Sequence, residues 1–272
     1  MPKHITADEK IRIVSYYKSF PMTYEDVSNK FGISLPSVAK VLKEYNVKPY
    51  TKVQLFSPNL DEHYFDNINT EEKAYFLGLL ITDGCIHNTK GKQSLVSLTL
   101  KEQDEYLIDK FKECVKSNKT VTHDGRGCSE LNILSNIMVS SLKRYGICEN
   151  KSLHTVFPTE IPLSMYRHLL RGIFDGDGSV SFYARPDRKS HTKAIRLCQG
   201  NEKFLIDIVN FLYDNCDIER VNTYQEKDSL WSIAYRKNDS MMKLYNYLYQ
   251  DATIFMERKK KLCDLIYTEI KK

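Results

Sequence analysis

Asp83 and Asp177 each close an apolar run and precede a glycine, in "FLGLLITDG" (76–84) and "LRGIFDGDG" (170–178). They stand 94 residues apart, and Gly78 and Gly172 precede them by the same five positions. Two carboxylates brought within a few ångströms repel, and one takes up a proton unless a cation neutralises the pair. Hard divalent ions prefer such oxygen ligands, with main-chain carbonyls and water completing the shell. The chemistry open to this pair is metal-ion chemistry. The bland alternative is that each Asp-Gly simply ends a helix as a turn, a common role for that dipeptide. Matched contexts at both places favour the metal site. A third acid, Asp175, has Ile81 as its counterpart, so it is assigned to capping or packing rather than catalysis.

The elements carrying these aspartates are apolar around most of a helix's circumference. Phe76, Leu77, Leu79, Leu80 and Ile81 form one, and Leu169, Leu170, Ile173 and Phe174 the other. Such helices are buried on several sides. Glycine inside a helix costs about 0.5–1 kcal/mol relative to alanine, a cost best offset where two backbones must approach closely. Gly78 and Gly172 therefore predict two helices crossing at the centre of a pseudo-twofold structure, their C-terminal ends converging on Asp83 and Asp177.

The duplication continues beyond the motifs. "EYLIDKF" (105–111) matches "KFLIDIV" (203–209) at an offset of 98, and "TVTHDGRGCSELNI" (120–133) matches "RVNTYQEKDSLWSI" (220–233) at 100. Loop insertions explain the drift, most simply at 184–192. Each copy reads as helix, two strands, helix, two strands, helix. The second helices fall at 104–116 and 202–215, the third at 136–145 and 239–249, and a final helix at 256–270. Tandem αββαββα units with helices on one face of antiparallel sheets make the fold α+β.

Residues 6–45 read as three short helices. Ile11, Val14 and Tyr17 supply the apolar spacing of the first; Thr23 caps the second with Asp26 three residues later; Gly32 turns the chain, and Ser34 caps the third, which buries Val38 and Leu42. "MTYEDVSNKFGISLPSVAKVLKEY" resembles the resolvase and transposase-like helix-turn-helix group. Ser37, Lys40 and Lys43 lie on the free face of the third helix, placed to meet a major groove. Residues 1–52 hold nine Lys/Arg and five Asp/Glu, most of the net charge of +5. The domains expected are a helix-turn-helix at 1–50, a linker at 51–69, and repeats at 70–155 and 156–272. The seven cysteines are scattered with no Cys-x-x-Cys pair, which argues against a zinc site or disulfide framework and fits a reducing cytoplasm. The longest apolar run, 74–81, is too short to span a membrane, and no signal peptide is visible.

The two motifs resemble those of the LAGLIDADG homing endonucleases, and the resemblance covers about residues 70–272. It implies a single-chain pseudo-dimer, monomeric in solution, whose two sheets form a saddle over the major groove of double-stranded DNA. It also implies that the last Asp of each motif, Asp83 and Asp177 here, binds Mg²⁺, with Mn²⁺ as a substitute, and that both strands are cut with a stagger. Near the scissile phosphates the resemblance places Lys101 and Gln199, taken as equivalent at an offset of 98, and the lysines Lys151 and Lys259. Tyr183, Arg185, Arg188, Lys193 and Arg196 suit a basic strand face on DNA. A free-standing mobile gene of phage or bacterial origin is implied. A non-catalytic DNA-binding regulator and an intron RNA maturase are the alternatives that the same scaffold leaves open.

Overall fold

Two capping boxes start the chain's first helices. Thr6 and Glu9 exchange side-chain and backbone bonds at the head of α1 (Ala7–Ser19), as do Thr23 and Asp26 at α2 (Tyr24–Phe31). Gly32, at φ 61°, then turns the chain in the left-handed region, and Ser34 caps α3 (Leu35–Glu44). The computed structural model describes residues 5–88, 93–149, 154–184, 191–227 and 229–272, without the side chains of 52 and 53. It divides into two units, Met1–Leu60 with Lys116–Asn118, and Asp61–Val115 with Lys119–Lys272.

In the first unit, Ile13, Val14 and Tyr17 pack on Val27, Val38, Val41 and Leu42. Ile11, expected among them, is 53% exposed. The buried stripe of α1 runs through 13, 14 and 17, and position 11 falls outside it. The segment expected as a linker, 51–69, contains a short helix and buried side chains. It forms α4 (Lys52–Phe56), and further on, in the second unit, Tyr64, Phe65 and Ile68 are buried. The Phe65 ring lies 6.1 Å from that of Phe111. Ser135 Oγ donates to Glu62, and Ser141 Oγ to Asp66, which fixes this stretch to the second unit. Apolar residues without a regular period hid that core contribution.

The second unit repeats one pattern. The first copy runs α5 (Glu71–Asp83), β1 (Gly84–His87), β2 (Leu95–Lys101), α6 (Glu105–Cys114), β3 (Thr122–His123), β4 (Cys128–Leu134) and α7 (Asn136–Arg144). The second runs α8 (Tyr166–Asp177), β5 (Gly178–Tyr183), β6 (Thr192–Gln199), α9 (Glu202–Cys216), β7 (Tyr224–Lys227), β8 (Leu230–Tyr235) and α10 (Asn238–Tyr249), with α11 (Glu257–Ile270) appended. The strands form two four-stranded antiparallel sheets of the same order, β1-β2-β4-β3 and β5-β6-β8-β7. The fold is α+β, two matched αββαββα units. Among the described residues no helix is long and apolar enough to cross a membrane.

Each sheet has a buried and a polar face. Val96, Leu98, Leu100, Leu131 and Ile133 point into the core in the first, and Ile195, Leu197, Ile233 and Tyr235 in the second. Strand alternation puts Thr99, Glu130 and Asn132, and Ser181, Arg196 and Ser232, on the opposite faces. Registers correct the sequence offsets. Gly84 pairs with Leu98 and Gly178 with Leu197, so the second strands match at 99. The buried set Leu107, Ile108 and Phe111 of α6 matches Phe204, Leu205 and Ile208 of α9, at 97 rather than 98. The shared Leu-Ile-Asp triplets therefore occupy different phases of their helices.

Candidate active site

α5 and α8 pack against one another more extensively than any other two described elements. Their glycines explain how. A Cβ on Gly78 would stand 2.2 Å from Leu169 O and 2.9 Å from Ile173 N; one on Gly172 would stand 2.1 Å from Tyr75 O and 2.9 Å from Leu79 N. Tyr75 and Leu169, like Leu79 and Ile173, are matched positions in the two copies, so the contacts obey a twofold relation. No side chain fits at either glycine without parting the helices. Further along, a Cβ on Gly176 would lie 2.5 Å from Thr82 Cβ and 2.6 Å from Asp83 Oδ2. Both helices thus run to the same end, where Asp83 and Asp177 are their last residues. Thr82 and Gly176 are themselves matched positions facing one another, and there is room for one side chain between them.

Each helix passes straight into a strand. Gly84 and Gly178 have φ of −83° and −78°, ordinary extended backbone, so neither Asp-Gly is a left-handed turn. The need for glycine there is steric: a Cβ would stand 2.5 Å from Leu80 O in the first copy and 2.4 Å from Phe174 O in the second.

Side chains from two other elements, and Thr82 of α5 itself, surround the carboxylates. Gln199 Nε2, at the end of β6, donates to Asp177 Oδ2 at 3.0 Å, and its Oε1 accepts from Gly200 N at 2.7 Å, which fixes the amide's orientation. Thr82 Oγ1 lies 3.1 Å from Asp83 Oδ2. Lys259, from α11, is only 5% exposed. Its Nζ donates to Phe174 O at 3.1 Å and Gly176 O at 2.8 Å, on the last turn of α8. A cation there complements the negative end of the helix dipole. Burial pulls the Lys259 ammonium down to a pKa of about 8, with Arg258 adding to the fall; the carboxylates of Asp175, Asp83 and Asp177 act against it.

Below the carboxylates lies a buried polar layer. Asp175, fully buried, accepts from Met256 N at 2.6 Å, Tyr75 Oη at 2.9 Å and Tyr249 Oη at 3.0 Å. Burial raises its pKa to about 6, against these donors and Lys259. Arg171, one turn earlier and also fully buried, donates to Ile254 O at 2.7 Å, Leu248 O at 2.8 Å and the Glu71 carboxylate. Glu71 Oε1 also accepts from Thr253 N at 2.8 Å. These bonds tie the start of α5 and the chain between α10 and α11 to α8. The sequence signal for this layer was slight: an Arg inside an otherwise apolar motif.

No family model and no curated protein matches this sequence. Solved structures do match. The LAGLIDADG meganuclease I-AabMI, bound to uncleaved DNA, is similar at 15% identity and a TM-score of 0.53, over 72% of this chain and 90% of that chain. The LAGLIDADG homing endonuclease I-GzeII, in complex with its DNA target, gives 15% and 0.54, over 73% and 89%. I-LtrWI, bound to target DNA, gives 12% and 0.53, over 77% and 91%. The chain has the LAGLIDADG homing-endonuclease fold.

Within this LAGLIDADG scaffold the candidate residues separate. Asp83, Asp177, Gln199 and Lys259 come together. Lys101 does not match Gln199: by register the counterpart is Leu100, which faces the core, whereas Lys101 is exposed on the opposite sheet face. A slip of one residue reverses every side chain. Lys151, Arg185 and Arg188 lie outside the described residues. Lys193 is not on the polar strand face. It shares the helix-covered side with Ile195, and its Nζ pairs with Glu269 at 3.3 Å, leaving the side chain 13% exposed. Arg196 is on the polar face, paired with Glu226 at 3.2 Å and 40% exposed, and Tyr183 is exposed on the same face. In the first unit Lys40 and Lys43 are exposed, while the Ser37 hydroxyl lies 2.9 Å from that of Ser34 at the helix cap. Gly176, Thr82, Glu71, Arg171, Tyr75 and Tyr249 are LAGLIDADG-helix or supporting residues that spacing alone did not single out.

Proposed function

We propose that the protein is a site-specific endonuclease that hydrolyses both strands of a DNA duplex with a staggered cut and depends on Mg²⁺, for which Mn²⁺ substitutes. The observation that carries this reading is the convergence of Asp83 and Asp177 at the ends of two helices in backbone contact. The donor set fits a magnesium ion. The side-chain donors, the carboxylates of Asp83 and Asp177, are all oxygen. Mg²⁺ is commonly held by one or two carboxylates, with water and substrate phosphate filling the octahedron. When bound, the ion supplies a nucleophilic water at neutral pH and charge stabilisation for the leaving oxygen.

The chain's own residues do the rest. Asp83 and Asp177 carry the negative charge that holds the ion. Gln199 keeps Asp177 in one orientation. Lys259 keeps a proton on Nζ at the last carbonyls of α8 and adds positive charge where phosphate charge develops. The polar sheet faces, with Thr99, Asn132, Ser181 and Arg196, offer donors and acceptors to base edges and phosphates. That the similar structures are bound to DNA supports a DNA partner for this chain. The first unit, with Lys40 and Lys43 on α3, adds target affinity as a helix-turn-helix, and the enzyme works as a single chain carried by a phage or bacterial mobile element. The test is incubation of the purified protein with DNA of its own locus, the gene's insertion removed, in Mg²⁺ and in EDTA. A double-strand cut at one position in Mg²⁺ alone supports the reading. Tight, metal-independent binding without a cut replaces it with a DNA-binding regulator.

A further inference from the structure

We infer that Asp175 is a positioning residue for Lys259: by gripping the first turn of α11 it sets that ammonium on the end of α8, beside Asp83 and Asp177. The inference rests on the nuclease reading above. Asp175 Oδ2 accepts the Met256 N–H at 2.6 Å, and Met256 is the cap of α11. The Met256 carbonyl in turn accepts from Lys259 N at 3.1 Å and Lys260 N at 3.0 Å, so the grip passes through one helical turn to Lys259. The Lys259 side chain then folds back onto Phe174 O and Gly176 O, the carbonyls on either side of Asp175. One residue of α8 thus lies at the centre of a closed circuit, backbone to backbone on one side and ammonium to carbonyl on the other.

The same turn is held from the first copy. Arg258 Nε donates to Asp104 Oδ2 at 2.9 Å, Glu257 N donates to Tyr106 Oη at 2.7 Å, and Asp104 is buried. Asp175 therefore completes a two-sided hold on the segment that delivers Lys259. A carboxylate is required for its part. Three donors converge on it, from Met256, Tyr75 and Tyr249. An amide would turn its own NH₂ toward one of them, and an apolar residue would leave all three buried without an acceptor. The carboxylate's charge also favours the charged form of the nearby Lys259. Ile81, the matched residue of the first copy, can do none of this, so the device belongs to the second motif.

The test uses the full chain as wild type, Asp175→Asn, Lys259→Met and the double variant. Three quantities are read: the single-turnover cutting rate at saturating DNA in Mg²⁺, DNA binding in EDTA, and amide hydrogen exchange at 256–260 in metal-free protein. Asp175→Asn is expected to slow cutting by about tenfold or more and leave the DNA dissociation constant within about twofold. It should add nothing to Lys259→Met, because both act through one group. Exchange at 256–260 should rise by about tenfold or more in Asp175→Asn, and not in Lys259→Met. Losses that multiply in the double variant, or unchanged exchange at 256–260, overturn the inference. If the wild type does not cut at all, the nuclease reading fails, and the exchange measurement alone decides whether Asp175 holds the turn. Should Asp175→Asn not fold, Tyr249→Phe removes one donor and is expected to slow cutting in the wild-type background only; an equal slowing in Lys259→Met overturns the inference.

Discussion

Gly176→Ala tests the geometry of the helix ends. The new Cβ would stand 1.8 Å from Thr82 Oγ1, 2.5 Å from Thr82 Cβ and 2.6 Å from Asp83 Oδ2. Non-bonded carbons reach their optimum at roughly 3.5–4.0 Å. Rotating Thr82 about χ1 clears its hydroxyl but leaves its Cβ about 1 Å too close, so the ends of α5 and α8 must part. Thr82 Oγ1 also gives up its bonds to Leu79 O and Asp83 Oδ2. Overpacking of this kind costs about 1–3 kcal/mol, and the lost bonds bring the total to roughly 2–4 kcal/mol. Because Asp83 must move, cutting should fall more steeply than stability alone explains. Exchanging the matched residues, Thr82→Gly with Gly176→Ala, puts the side chain on the other helix. It trades one helical glycine for another and should recover all but about 1 kcal/mol, left by the bonds of the missing Thr82 hydroxyl. Urea denaturation gives the stabilities and single-turnover cutting the activity. A single variant within about 0.5 kcal/mol of wild type, or a double variant no better than the single, would refute the reasoning.

Other outcomes follow from the same structure. Glu71→Ala leaves Arg171 buried without its carboxylate and should cost about 3–5 kcal/mol in urea denaturation; a loss below about 1 kcal/mol contradicts the buried-pair assignment. Lys193→Ala, whose ammonium is already paired with Glu269, should leave DNA affinity within about twofold, whereas Arg196→Ala should weaken it and reduce the slope of log affinity against log salt by about 1. Lys259 loses its proton near pH 8 when folded and near 10.5 when unfolded. Between these values the unfolded chain binds more protons, so wild-type stability rises with pH. Lys259→Met lacks that rise, and its stability relative to wild type should drop by roughly 2 kcal/mol between pH 7 and pH 10 in paired denaturation curves.

The framework was legible because its signals are local and strong. Gly78 and Gly172, at one spacing from Asp83 and Asp177, dictate the helix crossing, and alternating apolar residues dictate the strands. Register was not legible. The identical Leu-Ile-Asp triplets suggested an offset of 98, yet strands and helices match at 99 and 97, which moved Lys101 to the wrong partner. Lys193 misled for the same reason: a basic residue near the end of a strand does not announce its face, nor that Glu269 will meet it. The layer of Arg171, Glu71 and Asp175 depends on carbonyls and amides of the chain at 248–256. Those partners lie 77–183 residues away in sequence, and side-chain type alone gives no hint of them.

The most direct measurement is single-turnover cutting of the locus DNA by wild type, Asp83→Asn and Asp177→Asn, in Mg²⁺ and in EDTA, with DNA binding measured in parallel. The account predicts cutting by the wild type in Mg²⁺ only, a loss of about 10³-fold or more in each variant, and unchanged DNA binding. Cutting by either variant within about tenfold of wild type, or cutting in EDTA, would contradict it.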